Sequence, residues 1–159
     1  MTLRNKNRNR IAQISKKLNL EKLPFKIESE KLNELGLDIA KDLKHVLESI
    51  NTNSSLKWCL STIKKAKVFI IIYQANEESR LIYKEEIAKL MPEYSYKTVA
   101  TIIDEGIEKG IYVSLDPAFK EVSDKKIKNI RPSIEVTTAF YNWNIIRIKN
   151  LADLIKKYK

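Results

Sequence analysis

Residues 95–110 read SYKTVATIIDEGIEKG. Ser95 is of the type that caps a helix, its hydroxyl accepting a hydrogen bond from a backbone N–H of the first turn. Val99, Ile102, Ile103 and Ile107 recur at spacings of three and four, the period of a helix with one apolar face. Gly110 follows where a helix closes most easily, because glycine enters the left-handed region without a Cβ clash. The polar and basic residues Ser95, Tyr96, Lys97, Thr98 and Thr101 gather at the start, and Asp104, Glu105 and Glu108 come one to two turns later. The spacing therefore predicts a helix over 95–109 whose first turn faces outward and favours anions, and whose second half repels them.

Downstream, Ile111–Leu115 and Ile127–Arg131 are strand candidates joined by DPAFKEVSDKK. They make a small β-hairpin whose tip, SDKKIKN, carries Lys125, Lys126 and Lys128, with Lys120 and Arg131 nearby. Upstream, Lys84–Leu90 reads as a short helix with Ile87, Leu90 and Met91 inward, stopped by Pro92. Residues 77–82 read as a turn, with a very short strand at Arg80–Tyr83. Before them a helix is expected over roughly 56–76, capped by Asn53, Ser54 or Ser55 and running through Trp58 and Ile63. Its apolar run Val68–Tyr73 belongs at the centre of the core. A buried strand is the alternative there, because β-branched residues dominate, but the helical flanks favour helix.

The outer segments are helical too. In 29–50, Ser29 can cap a helix with Leu32, Leu35, Ile39, Leu43, Val46 and Ile50 in one stripe. Ser133 can cap a long C-terminal helix carrying Val136, Phe140, Trp143, Leu151, Leu154 and Tyr158. Its weak point is NWNIIRIKN, where asparagine and β-branched residues lower helix propensity and allow a break. Residues 1–26 alternate basic and polar residues around Ile11, Ile14 and Leu18, as a short amphipathic helix or a mobile arm, ended by Pro24. The expected organisation is a basic arm (1–26), an N-terminal helix and loop (27–55), a central core (56–133) and a C-terminal helix (134–159).

The 159 residues suffice for one domain with a real core, or a small domain with helical extensions. At 43% hydrophobic residues the composition is globular, and only 3 Gly and 4 Pro favour helices over turns. No run of about 18 apolar residues occurs, so no membrane span is expected. The basic start MTLRNKNRNR lacks the apolar stretch of a secretory signal. Cys59 is the single cysteine, which excludes an intramolecular disulfide and suits a reducing, cytoplasmic setting. The net charge is +10, and its distribution carries the information. Residues 1–26 hold eight Lys or Arg against Glu21, and 120–131 hold five against Glu121 and Asp124. Residues 27–119 hold 12 positive and 15 negative charges. Positive charge concentrated in a tail and a hairpin suggests a polyanion, nucleic acid before an acidic membrane surface.

Helix, short helix, turn, helix and hairpin in that order form the winged variant of helix-turn-helix. In it the first helix of the pair braces the second, whose N-terminal residues reach base edges in the major groove. Tyr94, Ser95, Tyr96, Lys97, Thr98 and Thr101 are then the candidates for contact with double-stranded DNA. Lys120, Lys125, Lys126, Lys128 and Arg131 are candidates along the phosphates, where lysine on a flexible stem suits a point charge.

These residues resemble the MarR (multiple antibiotic resistance regulator) family. The resemblance lies in Ser95, Thr98, Val99, Ile102, Ile103, Asp104, Lys109 and Gly110, and in DKKIKNIRPS (124–133), similar to that family's wing and following helix cap. Asp124 matches the wing Asp, Lys125 and Lys126 the basic pair, and Ser133 the Thr cap. The chain departs from the pattern in having Lys for the wing Arg, a longer hairpin and a basic N-terminal arm. The resemblance implies a mainly α fold with a winged helix-turn-helix core and N- and C-terminal dimerisation helices. It also implies a homodimer, binding to a pseudo-palindromic operator, usual action as a repressor, and a small-molecule pocket, if one exists, between dimer helices and core. Independently, the apolar faces of 29–50 and 134–158 lie outside the minimal core, and a second copy of the chain is the economical cover for them.

No catalytic constellation is visible. His45, the single histidine, falls beside the apolar stripe of 29–50 as a surface residue. One His and one Cys do not make a four-ligand zinc site without several carboxylates. Cys59, between Trp58 and Leu60, reads as a buried structural thiol. Glu77–Glu78 and Glu85–Glu86 read as solvated helix-end charges. No glycine-rich phosphate loop occurs, so no cofactor and no enzymatic activity are expected. The expected function is a nucleoid-associated, DNA-binding transcription regulator. The alternatives are a winged-helix protein-interaction module gripping an acidic partner, or a replication or RNA-associated factor that binds nucleic acid non-specifically.

Overall fold

The structure, a computed structural model, describes residues 3–23, 26–115 and 128–158. Among them the elements are α1 (Leu3–Leu18), α2 (Leu32–Ile50), α3 (Ser54–Cys59), α4 (Ile63–Glu77), α5 (Lys84–Lys89), α6 (Tyr96–Glu108), β1 (Tyr112–Leu115), β2 (Asn129–Pro132) and α7 (Ile134–Tyr158). Short 3-10 turns lie at Leu20–Lys22 and Ser29–Lys31. The fold is mainly helical with a small antiparallel two-stranded sheet in which Val113 faces Arg131 and Ser114 faces Ile130. The chain divides into two compact units, Ile50–Trp143, and Met1–Ser49 with Asn144–Lys159.

The first of these units holds the main core. Val68, Phe69, Ile72 and Ala75 of α4 are buried, with Ile87 of α5 and Val99, Ile102 and Ile103 of α6. Ile82, Met91, Tyr112, Ile130 and Val136 complete it. Full burial of each large side chain contributes about 1.5–3 kcal/mol before chain entropy is set against it. The run Val68–Tyr73 is helical, and its central position in the core agrees with expectation except at Ile70, which is 43% exposed. Phe140 of α7 packs edge-on against Phe69 and Tyr73, with ring centroids 5.1 and 4.7 Å apart.

The helix expected over 56–76 is two helices. Asn53 caps α3, its Oδ1 accepting from the Leu56 N–H at 2.9 Å. Thr62 caps α4, its Oγ1 accepting from the Lys65 N–H at 3.2 Å. The break at Leu60–Thr62 reflects a second cap inside a stretch that periodicity alone reads straight through. Residues 80–83 form no ladder strand. Ile82 accepts a backbone bond from Ile130 at 2.9 Å, while its own N–H goes to the buried Asn129 Oδ1 at 3.0 Å. A side chain takes the place of one ladder carbonyl, so regular pairing does not propagate. Leu90, expected inward, is exposed, because α5 ends at Lys89 and it is Met91 that turns into the core.

Strand positions shift by one or two residues from expectation, β1 to Tyr112–Leu115 and β2 to Asn129–Pro132. Ser133 caps α7, accepting from the Val136 N–H at 3.3 Å, and α7 is a single helix through the stretch where a break was allowed.

In the other unit, α1 ends at Leu18, where Asn19 adopts the left-handed conformation (φ 48°), rather than at Pro24, which lies outside the described residues. Ser29 lies inside a 3-10 turn instead of capping α2. No residue of α2 is buried, and Leu37, Leu43, Ile145 and Ile148 are half or more exposed. The polar ties are specific: the Lys157 ammonium lies 2.7 Å from carboxylate oxygens of both Glu34 and Asp38, and the Tyr158 hydroxyl donates to Asp38 at 2.7 Å.

Candidate nucleic-acid interface

The start of α6 is built by its own sequence. The Ser95 hydroxyl accepts from the Thr98 N–H at 3.1 Å, so the helix begins where the cap places it. Ser95 and Thr98 hydroxyls lie 2.9 Å apart, and the Thr101 hydroxyl donates to the Lys97 carbonyl at 2.8 Å. Val99, Ile102 and Ile103 anchor the inner face, which leaves Ser95, Tyr96, Lys97 and Thr101 exposed and Thr98 half-buried. Tyr94 is half-buried, packed against the core, with the Lys64 and Lys67 ammoniums 5.3 and 5.9 Å from its ring centre.

The far end closes in a Schellman arrangement. The Ile111 N–H reaches the Gly106 carbonyl at 2.8 Å and the Gly110 N–H the Ile107 carbonyl at 3.0 Å, with Gly110 at φ 70°. This turn delivers the chain directly into β1, where Tyr112 slides over Gly106. A Cβ on Gly106 would stand 2.3 Å from the Tyr112 ring.

Of the basic candidates beyond α6, Lys128 and Arg131 are exposed at β2. Lys120, Lys125 and Lys126 lie outside the described residues. The acidic second half of α6 has partners that sequence reading did not find. Asp104 accepts from Lys84 of α5, and Glu105 is 3.8 Å from Lys65 of α4. Glu93, before the helix, takes the Lys67 ammonium; that hydrogen bond holds the Glu93 carboxyl below its usual range and the Lys67 ammonium above its own.

Sequence reading also missed Thr62, Lys64 and Lys65. They line a cleft of about 430 Å³ together with Lys97, Thr98 and Thr101 of α6. The available signal was TIKK at 62–65: recognising Thr62 as a cap moves both lysines from mid-helix to a first turn. Cys59 is fully buried, and burial pushes its thiol up to about 12, as suits a structural role. Among the described residues no group of three or more His, Cys, Asp or Glu could hold a metal ion, and no helix is long and apolar enough to cross a membrane.

No family model, curated protein or solved structure matches the chain.

Proposed function

We propose that the protein is a sequence-specific duplex-DNA-binding regulator of transcription that acts as a homodimer, usually by repression. The observation that carries this is the polarity of α6. Its start offers Ser95, Tyr96, Lys97 and Thr101 to solvent over a base of buried Val99, Ile102 and Ile103, while Asp104 and Glu105 of its second half are answered by Lys84 and Lys65. A helix so divided suits insertion of its N-terminal residues into a groove lined with phosphates. In this reading Ile50–Trp143 supplies a winged helix-turn-helix: α5 braces, α6 reads bases, and β1 and β2 belong to the wing. The uncovered apolar side chains of α2 and the end of α7 supply the surface for the second copy.

The experiment is selection of bound fragments from random duplex DNA, followed by titration of the enriched duplex at two salt concentrations. Affinity should fall steeply with salt, with a log–log slope of about −0.9 for each phosphate neutralised. Lys97→Gln should weaken binding to the enriched duplex. A response that is flat in salt overturns the proposal.

A further inference from the structure

The first turn of α4 and the outward face of α6 meet in the open cleft lined by Thr62, Lys64, Lys65, Lys97, Thr101 and Glu105. Its charges do not cancel. Lys65 is committed, lying 3.8 Å from the Glu105 carboxylate with its ammonium 4.3 Å from the centre of the Trp58 ring. That leaves two further ammoniums in the same cleft. Lys64 has the Tyr94 ring 5.3 Å away, and Lys97 is exposed, with no carboxylate paired to either among the described residues.

Both cations also stand on the unfavourable end of a helix. Lys64 and Lys65 belong to the first turn of α4 and Lys97 to the first turn of α6, and neither turn contains an acidic residue. The partial positive charge there opposes them, so the free protein holds a concentration of positive potential that a bound anion would relieve. Donors are at hand. The Thr62 Oγ1 accepts from the Lys65 N–H and keeps its own proton to give, whereas the Thr101 proton goes to the Lys97 carbonyl.

The geometry points to this cleft as the seat of one backbone phosphate of the bound duplex, held by the Lys64 and Lys97 ammoniums and the Thr62 hydroxyl. The assignment rests on the DNA-binding reading and adds α4 to the surface that docks. A strand of DNA lying along α6 brings its phosphates past the open side of the cleft. A phosphate contact made from α4 sets the depth and register of α6 and carries no base information of its own.

The test uses the full chain, a duplex enriched by selection and a duplex of random sequence. Lys64→Gln should weaken both alike, leave the ratio between them unchanged, and lower the log–log salt slope by about 0.9, one phosphate's worth. Lys64→Arg should keep the wild-type slope. Thermal unfolding of Lys64→Gln should occur at or above the wild-type temperature, because a charge opposed to the helix dipole is gone, which separates lost binding from lost folding. If the wild-type chain binds both duplexes and Lys64→Gln keeps its slope, the phosphate seat is wrong and the DNA reading stands. If the wild-type chain binds neither duplex, the DNA reading falls and takes the seat with it.

Discussion

Gly106 is a single residue on which the junction of α6 and β1 depends. The Tyr112 ring is buried and lies edge-on to Trp58, centroids 6.2 Å apart, so it has little room to retreat from a new methyl group. Gly106→Ala should therefore destabilise the unit by about 1–3 kcal/mol, as overpacking does, despite the better helix propensity of alanine. Urea unfolding followed by tryptophan fluorescence would measure it, and a gain in stability would contradict the packing described. In the sequence, Gly106 is only a small residue inside a helix. That it serves a tyrosine six positions on becomes visible only when the turn at Gly110 has folded the chain back. Ser95, Gly110 and Ser133 were legible for the opposite reason: each acts on backbone groups within a few residues of itself.

Helix ends set the elements. At the end of α4, the Arg80 N–H reaches the Ala75 carbonyl at 2.8 Å and the Ser79 N–H the Asn76 carbonyl at 3.0 Å, the same closure that ends α6. Here the left-handed position is held by Ser79 (φ 54°) instead of glycine. Ser79→Gly should raise stability by about 0.5–1 kcal/mol, measured by the shift in denaturation midpoint. The tie between α2 and the end of α7 is of another kind. Hydrogen bonds from Lys157 first and Tyr158 second hold the Asp38 carboxyl below its usual value of 3.8. A carboxyl depressed in the folded state stabilises above its unfolded pKa, and that contribution is lost as pH falls through the folded value. Protection of the amides at the end of α7, relative to their intrinsic exchange rate, should accordingly fall on acidification below about pH 3.8, and Asp38→Asn should show the lower protection already at neutral pH. An Asp38→Asn chain that exchanges like wild type would remove the tie. The stripe of α2 was legible in the sequence; the polar tie of Asp38 to α7 was not, because the hydrogen bond joining Asp38 to Tyr158 spans 120 residues.

At the scale of the whole molecule, the chain leaves large apolar side chains uncovered on α2 and on the latter part of α7, while its main core sits in Ile50–Trp143. If a second copy covers them, Leu43→Glu or Ile148→Glu should turn a sedimenting dimer into a monomer and leave the unfolding of Ile50–Trp143 unchanged. A wild-type chain that sediments as a monomer at every concentration would end the dimer proposal. A dimer binding DNA should in turn select a palindrome with half-sites about one helical turn, roughly 34–36 Å, apart. By itself the sequence determined the caps at Ser95 and Ser133, the left-handed glycine and the outward start of α6, because each depends on backbone and side-chain groups three or four residues apart. Only the tertiary structure decided that Asn129 serves Ile82 across 47 residues, that Lys84 meets Asp104 across 20, and that lysines of α4 and α6 share one cleft. Those pairings are set by how helices pack once the core closes, and no local periodicity encodes which two charged side chains the packing will bring together.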